Sequence, residues 1–525
     1  MADADVVVIG SGICGALAAR RLALAGADVL MLEAGGPIER GAVVAAFRDA
    51  PRKSDFIAPY PFHPWAPHPL YQPASNQYLV QAGPDPWPVQ YLRGVGGTSW
   101  HWAAQAWRLI PNDMRLHSLY GLAVDWPMSY EALDPWYQEA EEILGVAGAE
   151  GTGSPRAKPF PMAPVAEPWA MRRIRERLAP DYAVQANTAA RNSRSYGGRP
   201  ACCGNNSCQP ICPIDAQYHG GIAVQAALAA GVRLRSEAVV HRLETQPGGR
   251  IRAAHYLTPE GKARQVQAEV FVLAAGGVES PKLLLMSEVA NRSGQVGRNL
   301  MDHLSTSMQF EADEPLWLGR GPQSPSAINS RRDGAFRSEH AAYRLDFTNV
   351  SRVDSVTREL LEHGVYGPQL EVQLRRRVAH EMGVRNVLEV LPDPANRIVL
   401  SSRRDALGLP TPQVHYRIDD YVRRGAAAAE EDFQRIAARM GGQRLRLSKP
   451  GAFSANHHVT GTLAMGTDPS RSVCDGYGRA HDHENLYLCG TGVMPTSGTM
   501  NATLTAVALA LRSAEQIRPL LKVQG

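Results

Sequence analysis

The chain opens on Asp5-Val-Val-Val-Ile9, an apolar run without polar alternation that reads as a buried parallel strand. Glycines stand at 10, 12 and 15, and apolar positions at helical spacing then predict a helix over residues 16–25. Gly26 ends it, and residues 29–32 predict a second strand closing on Glu33, so the chain begins as a βαβ unit. Residues 51–73 are dense in Pro, His and aromatic side chains, which neither a regular helix nor a central strand accommodates, and they predict an extended covering segment. Residues 129–144 predict an amphipathic helix entered from Trp126-Pro127 and N-capped by Ser129. The Gly/Ala/Pro-rich stretch 145–170 predicts a connection.

Further along, residues 271–275 predict another apolar strand, ending on Gly276-Gly277. The texture changes between about 304 and 450. Short alternating segments at 387–391, 397–401 and 414–418 predict an antiparallel sheet, and a long helix follows Asp420. Residues 485–512 return to a strand, a glycine turn and a long apolar helix. Internal repeats and long low-complexity tracts are absent. The expected fold class is α/β plus α+β. A Rossmann-like domain is assembled from 1–50, 90–115, 215–303 and 451–525, and an antiparallel-sheet substrate domain from 304–450 with parts of 51–89 and 116–195. Residues 196–214 are set apart as an insertion.

At 525 residues the chain exceeds one ordinary core. Its net charge of +4, from 55 basic and 51 acidic side chains, gives no reason to expect nucleic acid. No apolar run reaches the length of a membrane span, and Met-Ala-Asp-Ala-Asp leads into the first strand without a signal segment. Taken alone that predicts a cytoplasmic protein; export on a signal-bearing partner is equally compatible.

The chemistry begins at the first loop. G-x-G-x-x-G is weak by itself, but here it lies between a strand and a helix, with Glu33 closing the next strand. Gly10 makes the tight turn, Gly12 admits backbone close to a pyrophosphate, and Gly15 permits helix–strand packing. The helix N-terminus offers free N–H groups to phosphate. Glu33 as a ribose acceptor favours FAD or NAD over NADP. Four of the seven cysteines fall within residues 202–212 (ACCGNNSCQPICP), and the Cys-x-x-x-Cys-Pro ending resembles iron–sulfur ligation. Zinc, whose ligands usually come as two separated pairs, and disulfides are the alternatives. Cys14, Cys474 and Cys489 read as buried free thiols.

Four ordered stretches resemble the glucose–methanol–choline (GMC) oxidoreductases. They are the opening loop; Arg93-Gly-Val-Gly96-Gly97-Thr98-Ser99-Trp-His101-Trp102; Gly276–Leu285 with Val296–His303; and His457-His458-Val-Thr-Gly461-Thr462 with Cys489-Gly490-Thr491 to Asn501. The resemblance implies FAD held by Gly10, Gly12, Gly15, Glu33, Arg93, Gly96, Gly97, Thr98, Ser99, His101, Gly490 and Asn501. It implies His458 as the base that takes a hydroxyl proton while the carbon-bound hydride goes to flavin N5, with Asn501 holding the hydroxyl. A strand ending in the turn at Gly490 before a helix would aim N–H groups at one end of the flavin ring. His101 is expected near the dimethylbenzene edge of the flavin, between Trp100 and Trp102; in some members a histidine of this loop is bonded covalently to the flavin. The cysteine run is similar to that of the bacterial cytochrome-linked sugar dehydrogenases of the family. That similarity implies a [3Fe–4S] cluster on Cys202, Cys208 and Cys212, a multihaem cytochrome c subunit, and a small subunit carrying the export signal. It also implies a periplasmic location, with membrane contact only through a partner. The sugar substrate expected first is glucose at C1, then a glucoside at its 3-hydroxyl, then gluconate or a polyol. A lyase holding FAD only as structure is the different-class alternative, and an electron exit argues against it. His457, beside the base, would alter the pocket relative to a small polar residue.

Overall fold

The computed structural model describes residues 2–51, 53, 55–69 and 78–521. The expected βαβ opening is present: β1 (Ala4–Ile9), α1 (Ile13–Leu24) and β2 (Val29–Leu32). The helix starts three residues earlier than predicted, because its first turn is built from the glycine motif itself. β1 lies between β2 and the strand Ala263–Leu273, parallel to both. Two more parallel strands, Arg233–Arg235 and Leu486–Leu488, pair with β2 and Ala263–Leu273. An antiparallel extension through Ile251–Leu257 and Val239–Thr245 completes seven strands. All of β1 and β2 except Asp5 is buried, which explains why they read as unbroken apolar runs. α1 and the C-terminal helix Thr503–Ile517 pack together over this sheet.

A second core is built on an eight-stranded sheet. Its order is Gln443–Leu447, Ser307–Glu311, Glu381–Leu388, Tyr343–Thr348, Ser326–Ile328 and Val184–Ala186, antiparallel throughout, with Leu304–Ser305 and Ser454–Ala455 attached. Part of the sequence expectation is corrected here. The segments at 397–401 and 414–418 do not continue this sheet; Arg397–Arg404 and Pro410–His415 pair with each other and with Val80–Gln81 in a separate three-stranded sheet. The strand placed at 387–391 runs instead over Glu381–Leu388 and stops before Pro392-Asp-Pro394, where a ladder cannot continue. Two helices between 353 and 380, Val353–Glu362 and Gly367–His380, were not anticipated.

Other expectations hold. Ser129 caps Tyr130–Leu144 by accepting from the N–H of Ala132. Asp419 caps the long helix Asp420–Arg439 in the same manner. Residues 51, 53 and 55–69 contain no helix or strand, as a covering segment should; residues 52, 54 and 70–73 of that stretch lie outside the described residues.

Candidate active site

The glycine loop is shaped by close approach. A side chain at Gly15 would place its Cβ 2.2 Å from the carbonyl oxygen of Gly10, so the helix can sit this near β1 only with glycine there. A Cβ at Gly12 would meet no heavy atom within 4 Å, which leaves room above the start of α1, an end with no side-chain cap. Glu33, at the end of β2, accepts from the N–H and Oγ of Ser11 (2.9 and 2.7 Å) and from the N–H of Gly35 (3.1 Å). Sequence reasoning passed over Ser11, because the motif leaves that position open.

The second glycine loop lies on the first. Gly96 donates its N–H to Ser11 Oγ, and a Cβ on Gly97, whose φ is +61°, would stand 3.1 Å from Gly12 Cα. Thr98 Oγ1 accepts from the N–H of Leu92, and Ser99 Oγ accepts from the N–H of Gly220 at the head of the helix Gly220–Ala229. Arg93 is buried and ties down the covering segment, donating to the Pro67 carbonyl and to Tyr78 Oη, with Glu279 at 3.8 Å. His101 is buried, and among the described residues its Nε2 has no partner; neither does His63 Nε2 nor either ring nitrogen of His68. Burial pushes His101 down to about 3 and His68 down to about 4. The expected placement of His101 between tryptophans is corrected. Trp100 stacks on His219 at 3.9 Å and Trp102 donates to the Tyr218 carbonyl, so both indoles turn away, and the ring paired with His101 is Tyr60. Two apposed glycine loops, room above a helix N-terminus and several unpartnered buried imidazole nitrogens fit a large polar cofactor such as FAD.

The structure brings together His458 and Asn501, the two residues to which the resemblance gave catalytic roles. Asn501 Nδ2 lies 2.9 Å from His458 Nε2. Asn501 Oδ1 accepts from Nη2 of Arg344 at 2.8 Å, so the amide presents its NH2 to the imidazole and His458 Nε2 is the acceptor. Arg344, on Tyr343–Thr348, is completely buried and also donates to Asp346, Gln105 Oε1 and the Thr499 carbonyl. On its other side, His458 Nδ1 lies 2.9 Å from Nδ1 of His303, whose Nε2 is 2.8 Å from the Gly498 carbonyl oxygen. Asp302 accepts from the backbone N–H of both His457 and His458 and from Trp87 Nε1. His458 is pushed well below its ordinary range by burial, with His303, Arg344, His457 and Arg385 adding to it, so it is neutral at pH 7. His457, at a φ of +62°, turns its Nδ1 to the N–H of Gln90 and takes no part in the His458–Asn501 pair. Sequence reasoning missed Arg344, Asp346 and Gln105. Asp302 and His303 stood in a quoted motif without a role.

Gly490, with a φ of +112°, follows the strand Leu486–Leu488 as expected, and no long helix begins there. A short turn, Thr491–Val493, follows, and the long helix starts at Thr503, two residues after Asn501. The expected order of strand, glycine turn and long apolar helix is present.

All four cysteines of the 202–212 loop are free: Cys208 is buried, Cys202 and Cys212 are half-buried, and Cys203 is exposed. Cys202 is raised by burial and, more weakly, by the neighbouring Cys208 and Cys212 thiols. No group of three or more His, Cys, Asp or Glu side chains stands in metal-holding geometry among the described residues. The loop is fastened to the flavin loop: Gln209 donates to the His101 carbonyl, Gln217 to the carbonyls of Trp102 and Cys208, and Tyr60 Oη to the Pro210 carbonyl. Cys14, Cys474 and Cys489 are buried free thiols, as expected.

Fold and site together define a dinucleotide-binding protein with a hydrogen-bonded His458–Asn501 pair between a parallel and an antiparallel sheet. Residues 8–80 match a family described as NAD(P)-binding Rossmann-like domain, and residues 181–305 and 392–510 match the two GMC oxidoreductase families. The chain is similar to the fructose dehydrogenase large subunit of Gluconobacter japonicus, 43% identical over 98% of each chain. It is also similar to 6'''-hydroxyparomomycin C oxidase of Streptomyces lividus, 29% identical over 98% of this chain and 91% of that one. Pyridoxine 4-oxidase from Mesorbium loti has the same fold, with a TM-score of 0.65 at 20% identity, covering 98% of this chain and 99% of that one. The chain belongs to the GMC oxidoreductase family.

Proposed function

We propose that this chain is the catalytic subunit of an FAD-dependent dehydrogenase that oxidises a CH–OH group of a free sugar. The observation that carries the reading is the His458–Asn501 pair, in which a half-buried neutral imidazole holds its Nε2 lone pair beside a side-chain amide. His458 Nε2 accepts the hydroxyl proton, and the Asn501 amide binds the hydroxyl oxygen as negative charge develops on it. Gly10, Gly12, Gly15 and Glu33 on one side, and Arg93, Gly96, Gly97, Thr98, Ser99 and His101 on the other, would hold FAD, which when bound supplies the hydride acceptor. The candidates are glucose, then a glucoside at its 3-hydroxyl, then gluconate or a polyol, from the resemblance, and fructose from the name of the 43% identical relative.

Cys202, Cys208 and Cys212 would hold a [3Fe–4S] cluster, which supplies a one-electron exit when bound. The fit is one of donor chemistry, in that three thiols of one loop are hydrogen-bonded through that loop to the flavin loop while Cys203 faces solvent. The relative is named a large subunit, which supports a complex. The partners proposed are a cytochrome c subunit and a small subunit that carries the export signal, with the complex in the periplasm. No helix of the described residues is long and apolar enough to cross a membrane.

The test is an anaerobic visible spectrum of the flavin-loaded protein before and after fructose or glucose. Bleaching of the flavin bands supports the reading and identifies the sugar. His458→Ala should keep FAD and lose bleaching; undiminished bleaching would remove His458 as the base.

A further inference from the structure

His303 and Asp302 reach the reading above from the side away from the substrate. The Gly498 carbonyl oxygen can only accept, so His303 Nε2, 2.8 Å away, carries the proton. A neutral His303, which burial enforces by pushing it down to about 4, then has a bare Nδ1. At 2.9 Å from that bare nitrogen, His458 Nδ1 must be the donor, and His458 Nε2 is left with its lone pair. The same assignment came independently from Arg344 and Asn501 at the opposite end. One tautomer of each ring therefore satisfies every contact from the Gly498 carbonyl to Arg344. The reverse assignment sets the bare His303 Nε2 against the Gly498 oxygen and sets two donors against each other at Asn501 or at Arg344, breaking two contacts.

Asp302 does the corresponding work on the main chain. Its Oδ1 accepts from the N–H of His458 (2.8 Å), and its Oδ2 accepts from the N–H of His457 (3.1 Å) and from Trp87 Nε1 (3.0 Å). The carboxyl is completely buried, and the turn it holds puts His457 at positive φ, a conformation that needs such support.

We propose that the Asp302-His303 dipeptide is the positioning unit of the catalytic base: Asp302 fixes the backbone from which His458 projects, and His303 fixes the tautomer of its ring. The proposal rests on His458 being the base. When His458 Nε2 has taken the substrate proton, the Nδ1–H donated to His303 becomes a charge-assisted hydrogen bond. His303 is suited to receive it, because it is uncharged and its other nitrogen is committed to Gly498. The rings stand edge to face with centroids 5.0 Å apart, which allows the bond without stacking one imidazole over the other.

The experiment uses the flavin-loaded protein in anaerobic stopped flow, with whichever of fructose or glucose bleaches it, on His303→Leu, His303→Asn and His458→Ala. His303→Leu removes the acceptor. It should lower the limiting rate of flavin reduction about 100-fold while the apparent Kd for the sugar stays within about threefold. His303→Asn, whose Oδ1 can stand where Nδ1 stood, should recover about tenfold or more of that loss. A Leu variant at the parent rate, an Asn variant no faster than Leu, or a loss confined to Kd would overturn the proposal. If His303→Leu fails to load FAD, nitrogen NMR of the histidine-labelled parent decides. His458, identified by its absence in His458→Ala, must show a protonated Nδ1 and a bare Nε2, and the opposite pattern overturns the proposal. Full bleaching of His458→Ala would instead overturn the base assignment beneath it.

Discussion

Arg344 offers a way to separate what holds the fold from what orients the chemistry. Its guanidinium is fully buried and makes two bonds to Asp346, at 3.0 and 3.2 Å, and one to Asn501 Oδ1 at 2.8 Å. Burial alone would raise the Asp346 carboxyl, but Arg344 and Arg385 outweigh it and keep it below its ordinary range. Arg344→Met strands that carboxylate with only Arg385 at 3.4 Å, and breaking a buried pair on one side costs about 3–5 kcal/mol. The double variant Arg344→Met/Asp346→Leu removes both charges at similar volume and should recover most of that loss, since well-packed apolar replacements of buried pairs are often neutral. The rate should not recover with it. In both variants Asn501 Oδ1 has lost a charged donor, a contact worth about 1.5–3 kcal/mol, and only the bare His458 Nε2 then holds its NH2 in place. Expressed in the barrier, that is about a 10- to 100-fold slower flavin reduction. Urea denaturation and anaerobic stopped flow on the three proteins provide the comparison. A double variant that reduces flavin at the parent rate, or a single variant as stable as the parent, would refute the reasoning.

Gly15→Ala should destabilise the flavin-free protein by about 1–3 kcal/mol and weaken FAD binding, because the new Cβ would lie 2.2 Å from the Gly10 oxygen; equal or higher stability would contradict this, since helix propensity alone favours Ala. Acid should destabilise the flavin-free protein between about pH 6.5 and 4. His68, His303 and His457 are each pushed down to about 4, and His101 to about 3, by burial, so the unfolded chain binds more protons in that window and stability falls with pH by about 1.4 kcal/mol per unit for each. Asp302, raised to about 7 by burial, acts in the opposite sense with Glu381 and Glu389, its contribution being lost as pH rises through 7, but His458 joins the lowered histidines, which outnumber them; denaturation midpoints that do not change across the window would refute the assignment. Cys208→Ser should leave flavin reduction by sugar intact while lowering bound iron and abolishing electron transfer to a cytochrome c; unchanged transfer would remove the proposed exit.

What the sequence disclosed follows from where the signals are local. β1, α1 and β2 are legible because buried parallel strands leave unbroken apolar runs and glycines mark the turn between them. The strand Glu381–Leu388 was displaced because it carries Glu381, Arg385 and Asn386, which hide the apolar pattern. Glu381 and Asn386 are buried against Arg446 and Thr306, and Arg385 reaches Asp346 and Asn456. The polar shell of the base was illegible for a related reason. His303 meets His458 across 155 positions and Arg344 meets Asn501 across 157, and nothing in the local spacing of either residue announces its partner. His458 and Asn501 themselves were placed by resemblance, and the structure brings them together.

The packing of α1 against Thr503–Ile517 also fixes a timetable. β1 finds its second parallel neighbour only at Ala263–Leu273, that strand finds Leu486–Leu488 later still, and the helix that covers α1 is made after both. At about 5–20 residues per second, some 25–100 s of synthesis separate the helix that begins at the phosphate loop from the one that seats it. Through that interval the nucleotide loop lacks the helix that covers α1. Flavin loading therefore waits for Thr503–Ile517, and any factor that protects the unfinished protein has to act before a cofactor can help.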